Sequence, residues 1–213
     1  MFTGLIETIC KVKSVRRSAE SMVLTIDLGK LADESKTGDS IAINGACLTI
    51  SRLQGSLASF DVSAETLAKS TLGKLKPSSE VNIERSLMAS DRFGGHFVLG
   101  HVDGTATVEA IDKSDKFANI KFTAKAELLG AIVIKGSVAI NGISLTIAAV
   151  DIKSFSVSII PETLKRTTLG NVKIGDCVNI ETDIIVKTIK RHLDEILPKK
   201  QGLTAEKLRQ LGY

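Results

Sequence analysis

The chain has 213 residues, 43% of them apolar and 24% charged, with a net charge of +4, the profile of an ordinary globular protein. Trp is absent and there is one Tyr, which argues against an aromatic platform for single-stranded nucleic acid; the basic residues near the C-terminus (Lys187, Lys190, Arg191, Lys199, Lys200, Lys207, Arg209) read as a solvated helix face, so no nucleic-acid partner is expected. Three cysteines without CxxC spacing, no basic-then-apolar leader and no run near the ~20 apolar residues of a membrane span point to a cytoplasmic protein with no disulfide framework and no membrane partner.

In chain order, strand-like runs cover residues 22–26, 40–50, 58–62 and 81–84, then 104–111, 119–123, 137–147 and 155–160. The second set repeats the first. Ser40-Ile-Ala-Ile-Asn-Gly-Ala-Cys-Leu-Thr-Ile50 returns 97 positions later as Ser137-Val-Ala-Ile-Asn-Gly-Ile-Ser-Leu-Thr-Ile147. Ungapped from Ser40 against Ser137, 20 of 45 positions are identical, and one gap brings Met1-Phe-Thr-Gly4 over Phe97-Val-Leu-Gly100. A period of this length suits an independently folding domain, so two like globular units are expected. Several short strands per unit suit a small closed barrel, because closure removes sticky edges. The Asn44-Gly45 and Asn141-Gly142 pairs lie inside the repeated strand and read as a bend or a close backbone approach, not as a hairpin tip. Each copy holds one helix-like stretch, residues 64–70 and 162–167, and residues 86–93 are the expected join. After Asp183 the apolar residues Ile185, Ile189, Leu193 and Ile196 recur four, four and three apart, one face of a helix that Pro198 ends. That stripe has no duplicate, so it serves either a subunit contact or packing on its own barrels. The expected units are residues 1–90, 91–183 and the helical tail 184–213.

Function is sought where the copies differ. Cys47 stands opposite Ser144, a thiol against a hydroxyl, and the thiol is the more nucleophilic and the more readily ionised. Gly94-Gly-His-Phe-Val-Leu-Gly-His101 is the second difference: His101 faces Leu5, and the first copy has nothing to match Gly94, Gly95 and His96. Imidazole is the usual proton shuttle near neutral pH. At odd spacing in a strand, His96 and His101 are expected on opposite faces, and with Cys47 they do not amount to a zinc site. Cys10 and Cys177 read as packing, and His192 as solvated. Ser144, Thr146, Asp183 and Asp61 complete a polar inventory without a phosphate loop, which suits a neutral, flat, hydrogen-bonding heterocycle.

Five motifs, Met1-Phe-Thr-Gly-Leu-Ile-Glu7, Asn44-Gly-Ala-Cys-Leu-Thr49, Gly94-Gly-His-Phe-Val-Leu-Gly-His101, Asn141-Gly-Ile-Ser-Leu-Thr146 and Ile160-Pro-Glu-Thr163, together resemble the riboflavin synthase (alpha chain) family of lumazine-binding barrels. The resemblance implies an all-β chain of two tandem homologous six-stranded Greek-key barrels plus a C-terminal α-helix, assembled as a homotrimer. It implies a transferase acting on two molecules of 6,7-dimethyl-8-ribityllumazine, giving riboflavin and 5-amino-6-ribitylamino-2,4-pyrimidinedione by four-carbon transfer. No cofactor and no metal are implied, and association with lumazine synthase is a further expectation. The site is expected between the N-terminal barrel of one subunit and the C-terminal barrel of its neighbour. By the family pattern Cys47 and His101 line the reacting centre, supported by Ser40, Ser144, Thr146, Asp183 and Phe2. Substrate contacts are expected at Gly4, Leu5, Ile6, Cys47, Leu48, Thr49, Asp61, Val62, Ser63, Ala64, Glu65 and Thr66 for the N-terminal barrel. For the C-terminal barrel they are expected at Gly100, His101, Val102, Lys135, Ser144, Leu145, Thr146, Ile160, Pro161, Glu162, Thr163, Leu164 and Lys165. The alternative is a non-catalytic lumazine- or flavin-binding antenna protein, a relative that tends to lack the cysteine and the histidine.

Overall fold

A computed structural model of the chain describes residues 1–18, 21–114 and 117–196. Strands β1 (Thr8–Arg17), β2 (Ser21–Asp27), β3 (Ser40–Ile43), β4 (Ala46–Gln54), β5 (Leu57–Ser63) and β6 (Glu80–Arg85) close into an antiparallel barrel in the order β1-β2-β5-β4-β3-β6. Strands β7 (Gly104–Lys113), β8 (Ala118–Ala124), β9 (Ser137–Ile140), β10 (Ile143–Val150), β11 (Ser154–Ile159) and β12 (Cys177–Thr182) close a second barrel in the matching order β7-β8-β11-β10-β9-β12. Because β2 pairs with β5 while β3 pairs with β4 and β6, the order is Greek-key. Alternation along strands such as β5 supplies much of the barrel cores: Ala58, Phe60 and Val62 are buried while Asp61 and Ser63 are exposed. Equivalent residues form the two cores, Leu24, Ile26, Ile50 and Phe60 in the first and Ile120, Phe122, Ile147 and Val157 in the second. The bulges recur as well, at Val12/Ser14 and Ile50/Arg52 and again at Val108/Ala110 and Ile147/Ala149. An extra residue at these places bends the strand, which a six-stranded closure requires.

Two strands, β1 and β12, have no bounds in the sequence reading, which placed only Cys10 and Cys177 in strand-like runs there. β1 carries Lys11, Lys13, Arg16 and Arg17 outward with Cys10 and Val12 inward, so its charge masks a half-buried strand. β12 is buried along almost its whole length and therefore shows no alternation. The helix-like stretches appear as α1 (Ala64–Lys69), capped by the Ser63 hydroxyl accepting from the Thr66 N–H, and α3 (Pro161–Arg166), with proline at its first position. A short α2 (Ala126–Leu129) was not signalled. The last element, α4 (Ile184–Ile196), follows the expected stripe, and Ile185, Ile189, Leu193 and Ile196 are all about half exposed or more, so they do not pack on the chain's own barrels. Pro198 lies outside the described residues, as do Lys199, Lys200, Lys207 and Arg209. Among the described residues no helix is long and apolar enough to cross a membrane.

The Asn-Gly pairs do make the expected close backbone approach, but they are also the hairpin tips that the sequence reading set aside. They are two-residue hairpin tips between β3 and β4 and between β9 and β10, with positive φ at both residues: Asn44 45°, Gly45 78°, Asn141 47° and Gly142 80°. They also meet. A Cβ on Gly45 would lie 2.6 Å from the backbone nitrogen of Gly142, so the tips stand back to back with glycine required on both sides. Asn82 and Asn179 bind the contact. The Asn82 amide donates to the Asn141 carbonyl at 3.0 Å, and the Asn179 amide donates to the Asn44 carbonyl at 2.8 Å. Their amide oxygens accept from Thr168 N–H (2.8 Å) and Thr71 N–H (2.7 Å), each in the opposite half. Both asparagines are essentially fully buried, at 0% and 1% exposure. Asn82→Ala leaves the Asn141 carbonyl and the Thr168 N–H unpaired in the interior and is expected to cost about 1–3 kcal/mol. Urea unfolding checks this, and an unchanged midpoint would show that the barrels do not depend on the contact.

Candidate active site

The residues ahead of each barrel's first strand cross to the other barrel. Gly4, on the way into β1, accepts through its carbonyl from the Ser144 N–H of β10 at 2.8 Å, and Ile6 packs against the second barrel's core. Symmetrically, the Gly100 carbonyl accepts from the Cys47 N–H of β4 at 2.9 Å, and Val102 packs against the first barrel's core. Gly4 and Gly100 have φ of 79° and 81°, and a Cβ on either would collide with the Cβ of Ser144 or Cys47, so glycine alone permits the crossing.

A buried glutamate holds each crossing segment from its own side. Glu84 Oε1 accepts from the Thr3 N–H (2.6 Å) and hydroxyl (2.7 Å), and Oε2 accepts from the Gly4 N–H (3.0 Å). Glu181 accepts from the Leu99 N–H (2.7 Å) and the Gly100 N–H (2.9 Å). Burial raises both carboxyls above the usual range, against the hydrogen bonds that favour the ionised form. Between the segments, Phe2, Ala42, Val98 and Ala139 form a small core of their own, and Cys47 packs on it. Phe2 is fully buried there, so it works as a plug between barrels and not as a group open to a ligand.

The crossing regroups the expected residues. On sequence order, Gly4, Leu5 and Ile6 belong with Cys47, and Gly100, His101 and Val102 with Ser144. Within the chain the pairing is the reverse: Cys47 stands with Gly100, His101 and Val102, and Ser144 stands with Gly4, Leu5 and Ile6. Cys47 is half-buried on the outer face of β4, Thr49 is exposed on the same face, and Ser40 sits opposite Thr49 on β3. His101 is exposed and follows Gly100 directly. With Ile50 opposite Phe60, antiparallel pairing carries the end of β5 (Asp61, Ser63) and the start of α1 (Ala64, Glu65, Thr66) towards Cys47. The side chains of Leu48 and Val62 face the barrel interior at 6% and 1% exposure, which leaves only their backbone to a ligand.

The second face is built alike. Ser144 and Leu145 are half-buried and Thr146 is exposed on β10, while the corner into α3 brings Ile160, Pro161, Glu162, Thr163, Leu164 and Lys165 to the same end. Lys135 is exposed in a left-handed turn, φ 65°, with its N–H donating to the Ile147 carbonyl. Asp183 stands where Ser86 stands in the first copy; its carboxylate accepts from the Ile185 N–H (2.9 Å) at the start of α4.

His96 is the residue that the sequence singled out but left off the site. Residues 94–103 form no strand beyond a single Phe2–Val98 bridge, so the opposite-face argument for His96 and His101 does not hold. The His96 N–H donates to the Thr3 carbonyl at 3.1 Å, its ring is buried at 8% exposure, and Nδ1 lies 2.7 Å from Ser144 Oγ. Its Nε2 is buried with no partner among the protein atoms. Burial holds the imidazole below its usual range, opposed by the carboxylate of Asp183. The signal was its place in Gly94-Gly-His-Phe-Val-Leu-Gly-His101, one of the two stretches where function was sought.

Two clefts flank these faces. One of ≈ 990 Å³ is lined by Thr3, Leu5, Ser40 and Glu84; the other, of ≈ 600 Å³, is lined by Asp103, Gly104, Thr182 and the α4 residue Lys187. Cys47, His101, Ser144 and Thr146 line neither: Cys47, Ser144 and Thr146 lie on the outer faces of β4 and β10, and His101 lies in the segment ahead of β7. Among the described residues no three His, Cys, Asp or Glu side chains converge as metal ligands do. The arrangement offers two like surfaces of backbone amides and hydroxyls, one with a thiol and an imidazole, the other with a hydroxyl coupled to an imidazole.

A family model described as the lumazine binding domain matches the chain twice, over residues 3–86 and 99–183. The riboflavin synthase of Actinobacillus pleuropneumoniae is 41% identical over 218 aligned residues, covering 100% of both chains. That of Bacillus subtilis (strain 168) is 38% identical over 215, again covering 100% of both. Among solved structures, LumP complexed with riboflavin aligns with a TM-score of 0.80 at 23% identity, covering 85% of this chain and 99% of that one. LumP complexed with 6,7-dimethyl-8-(1'-D-ribityl) lumazine aligns at 0.78 and 22% over the same shares, and at such identity the likeness is one of fold.

Proposed function

The chain belongs to the lumazine binding domain family, and on that premise we infer that it is a riboflavin synthase. It takes two molecules of 6,7-dimethyl-8-ribityllumazine and moves a four-carbon unit from one to the other, releasing riboflavin and 5-amino-6-ribitylamino-2,4-pyrimidinedione. The observation that carries the reading is the crossing of the two leading segments. It makes two faces of one design from one repeated domain, and a reaction between two identical molecules asks for two like sites.

The chemistry divides into recognition and proton handling. Backbone groups of the crossing segments and the β5–α1 and β11–α3 corners hold the two flat rings and their ribityl chains. Holding two reactants face to face supplies a large part of the acceleration, because it converts an encounter into an internal step. One ring must then lose a proton from its acidic C7 methyl, and the other must accept a nucleophile at C7. We assign the first task to His101, which follows the glycine bonded to the Cys47 N–H, with Ser40 and Thr49 in support. Ser144, with Thr146 and Asp183 near it, serves the second.

Each site is completed across subunits in a cytoplasmic homotrimer, the N-terminal barrel of one copy facing the C-terminal barrel of its neighbour. The exposure of His101, Thr49 and Thr146 beside half-buried Cys47 and Ser144 supports this, since such faces close only against another surface. The exposed stripe of α4 supports α4 as the contact between copies.

Purified protein is expected to turn 6,7-dimethyl-8-ribityllumazine into riboflavin with no added metal or nucleotide, read from riboflavin absorbance; lumazine that stays bound and unconverted would instead identify an antenna protein. A chain ending at Asp183 is expected to sediment as smaller species than the full chain, and a trimer surviving that deletion would move the subunit contact to the barrels.

A further inference from the structure

We propose that Cys177 and Lys74 form a modification site, at which a peroxide joins the two barrels by a reversible sulfur–nitrogen bond. The site lies in the seam between the barrels and is independent of the proposed chemistry on their outer faces. Lys74 closes the 3-10 turn Thr71–Lys74 of the first half, and Cys177 opens β12 of the second. The Lys74 Nζ lies 3.6 Å from the Cys177 Sγ, although 103 residues separate them in the chain. Both line a cleft of ≈ 370 Å³ in the seam, together with Asn44, Glu80, Asn141 and Thr168. Lys74 is exposed and Cys177 half-buried, so a small oxidant can reach the sulfur and the amine can follow it.

The repeat supplies a comparison within the chain. A shift of 97 positions carries Lys74 onto Asn171 and Cys177 onto Glu80, and these two also meet. There the Asn171 amide donates to Glu80 Oε2 at 3.4 Å. One of two equivalent places thus holds an ordinary hydrogen bond, between groups that peroxide cannot join. The other sets a thiol against an amine, a pair that two-electron oxidation can join. Cysteines that oxidise selectively are accessible ones with a basic group close by. Cys10 does not fit that description: it is 6% exposed within the first core, and burial pushes its thiol up to about 11.

The chemistry balances with hydrogen peroxide as the oxidant. The O–O bond breaks as one oxygen bonds to Cys177 Sγ, giving a sulfenic acid and one water. The nitrogen pair of the Lys74 amine then attacks the sulfur. The S–N bond forms as the S–O bond breaks, and the oxygen leaves with a proton from the nitrogen as a second water. The sulfur has lost two electrons and the peroxide has gained them. A small thiol reverses the tie: it attacks the sulfur, the amine departs with its proton, and a second thiol clears the mixed disulfide. The tie adds a covalent link to a seam otherwise held by hydrogen bonds, in the same turn whose Thr71 N–H is accepted by Asn179.

Full-length protein treated with a few equivalents of hydrogen peroxide, then alkylated and digested, tests this by mass spectrometry. The Lys74 and Cys177 peptides should be found joined, lighter by two hydrogens than their sum, and dithiothreitol should release them. The melting temperature should rise by about 5 °C or more on oxidation and fall back on reduction, because closing a long loop restricts the unfolded chain. Lys74→Gln keeps a polar side chain but removes the nucleophile, so it should give neither joined peptides nor the rise. Cys177 that stays a thiol, or that goes on to sulfinic acid with Lys74 unmodified, would overturn the proposal. So would a joined peptide that keeps one oxygen, which is an N–O–S link, or a rise in Lys74→Gln equal to that of wild type.

Discussion

The structure depends on the back-to-back contact of two hairpin tips, Asn44-Gly45 and Asn141-Gly142. A closed barrel on its own has no reason to hold a second barrel at one angle. Here the buried amides of Asn82 and Asn179 each reach across to the other half, as donor to a tip carbonyl and as acceptor from a threonine N–H. A slip at this contact would strand several polar groups in the interior at once, so the two halves have a single stable relation. Given that relation, the leading segments lie within reach of the opposite barrel, and Glu84 and Glu181 lock them there.

Near-symmetry then becomes a means of placing differences. The backbone around positions 47 and 144 is alike down to the hydrogen bond each N–H gives to a crossing glycine. Against that common frame, thiol or hydroxyl, His101 or Leu5, and Asp183 or Ser86 are the differences in side-chain chemistry between the two faces. On the proposed function, two identical molecules bound on such faces would not be equivalent, and one could lose a proton while the other is attacked.

Much of this was legible in the residues. The repeat predicts two like barrels, alternation predicts most of the strands, and the spacing of Ile185, Ile189, Leu193 and Ile196 predicts α4. The misreadings have definite causes. Asn44-Gly45 looked internal because β3 is only four residues long and runs into β4 without a polar gap, and what places the tip in the interior is a partner 97 residues away. The regrouping of Gly4 to Ile6 with Ser144 was invisible because an internal alignment pairs each leading segment with its own barrel by order alone. His96 was noticed within its Gly-Gly-His motif, but its bond to Ser144 spans 48 residues and follows from the crossing, which no local pattern encodes.

On the proposed function, the duplicated domain supplies two substrate sites per chain which differ in chemistry and not in kind. Titrating the assembled protein with a lumazine analogue that lacks the C7 methyl, and so cannot react, tests it most directly. The account predicts two equivalents bound per chain. Saturation at one equivalent would contradict it, leaving the second barrel a structural copy with no substrate of its own.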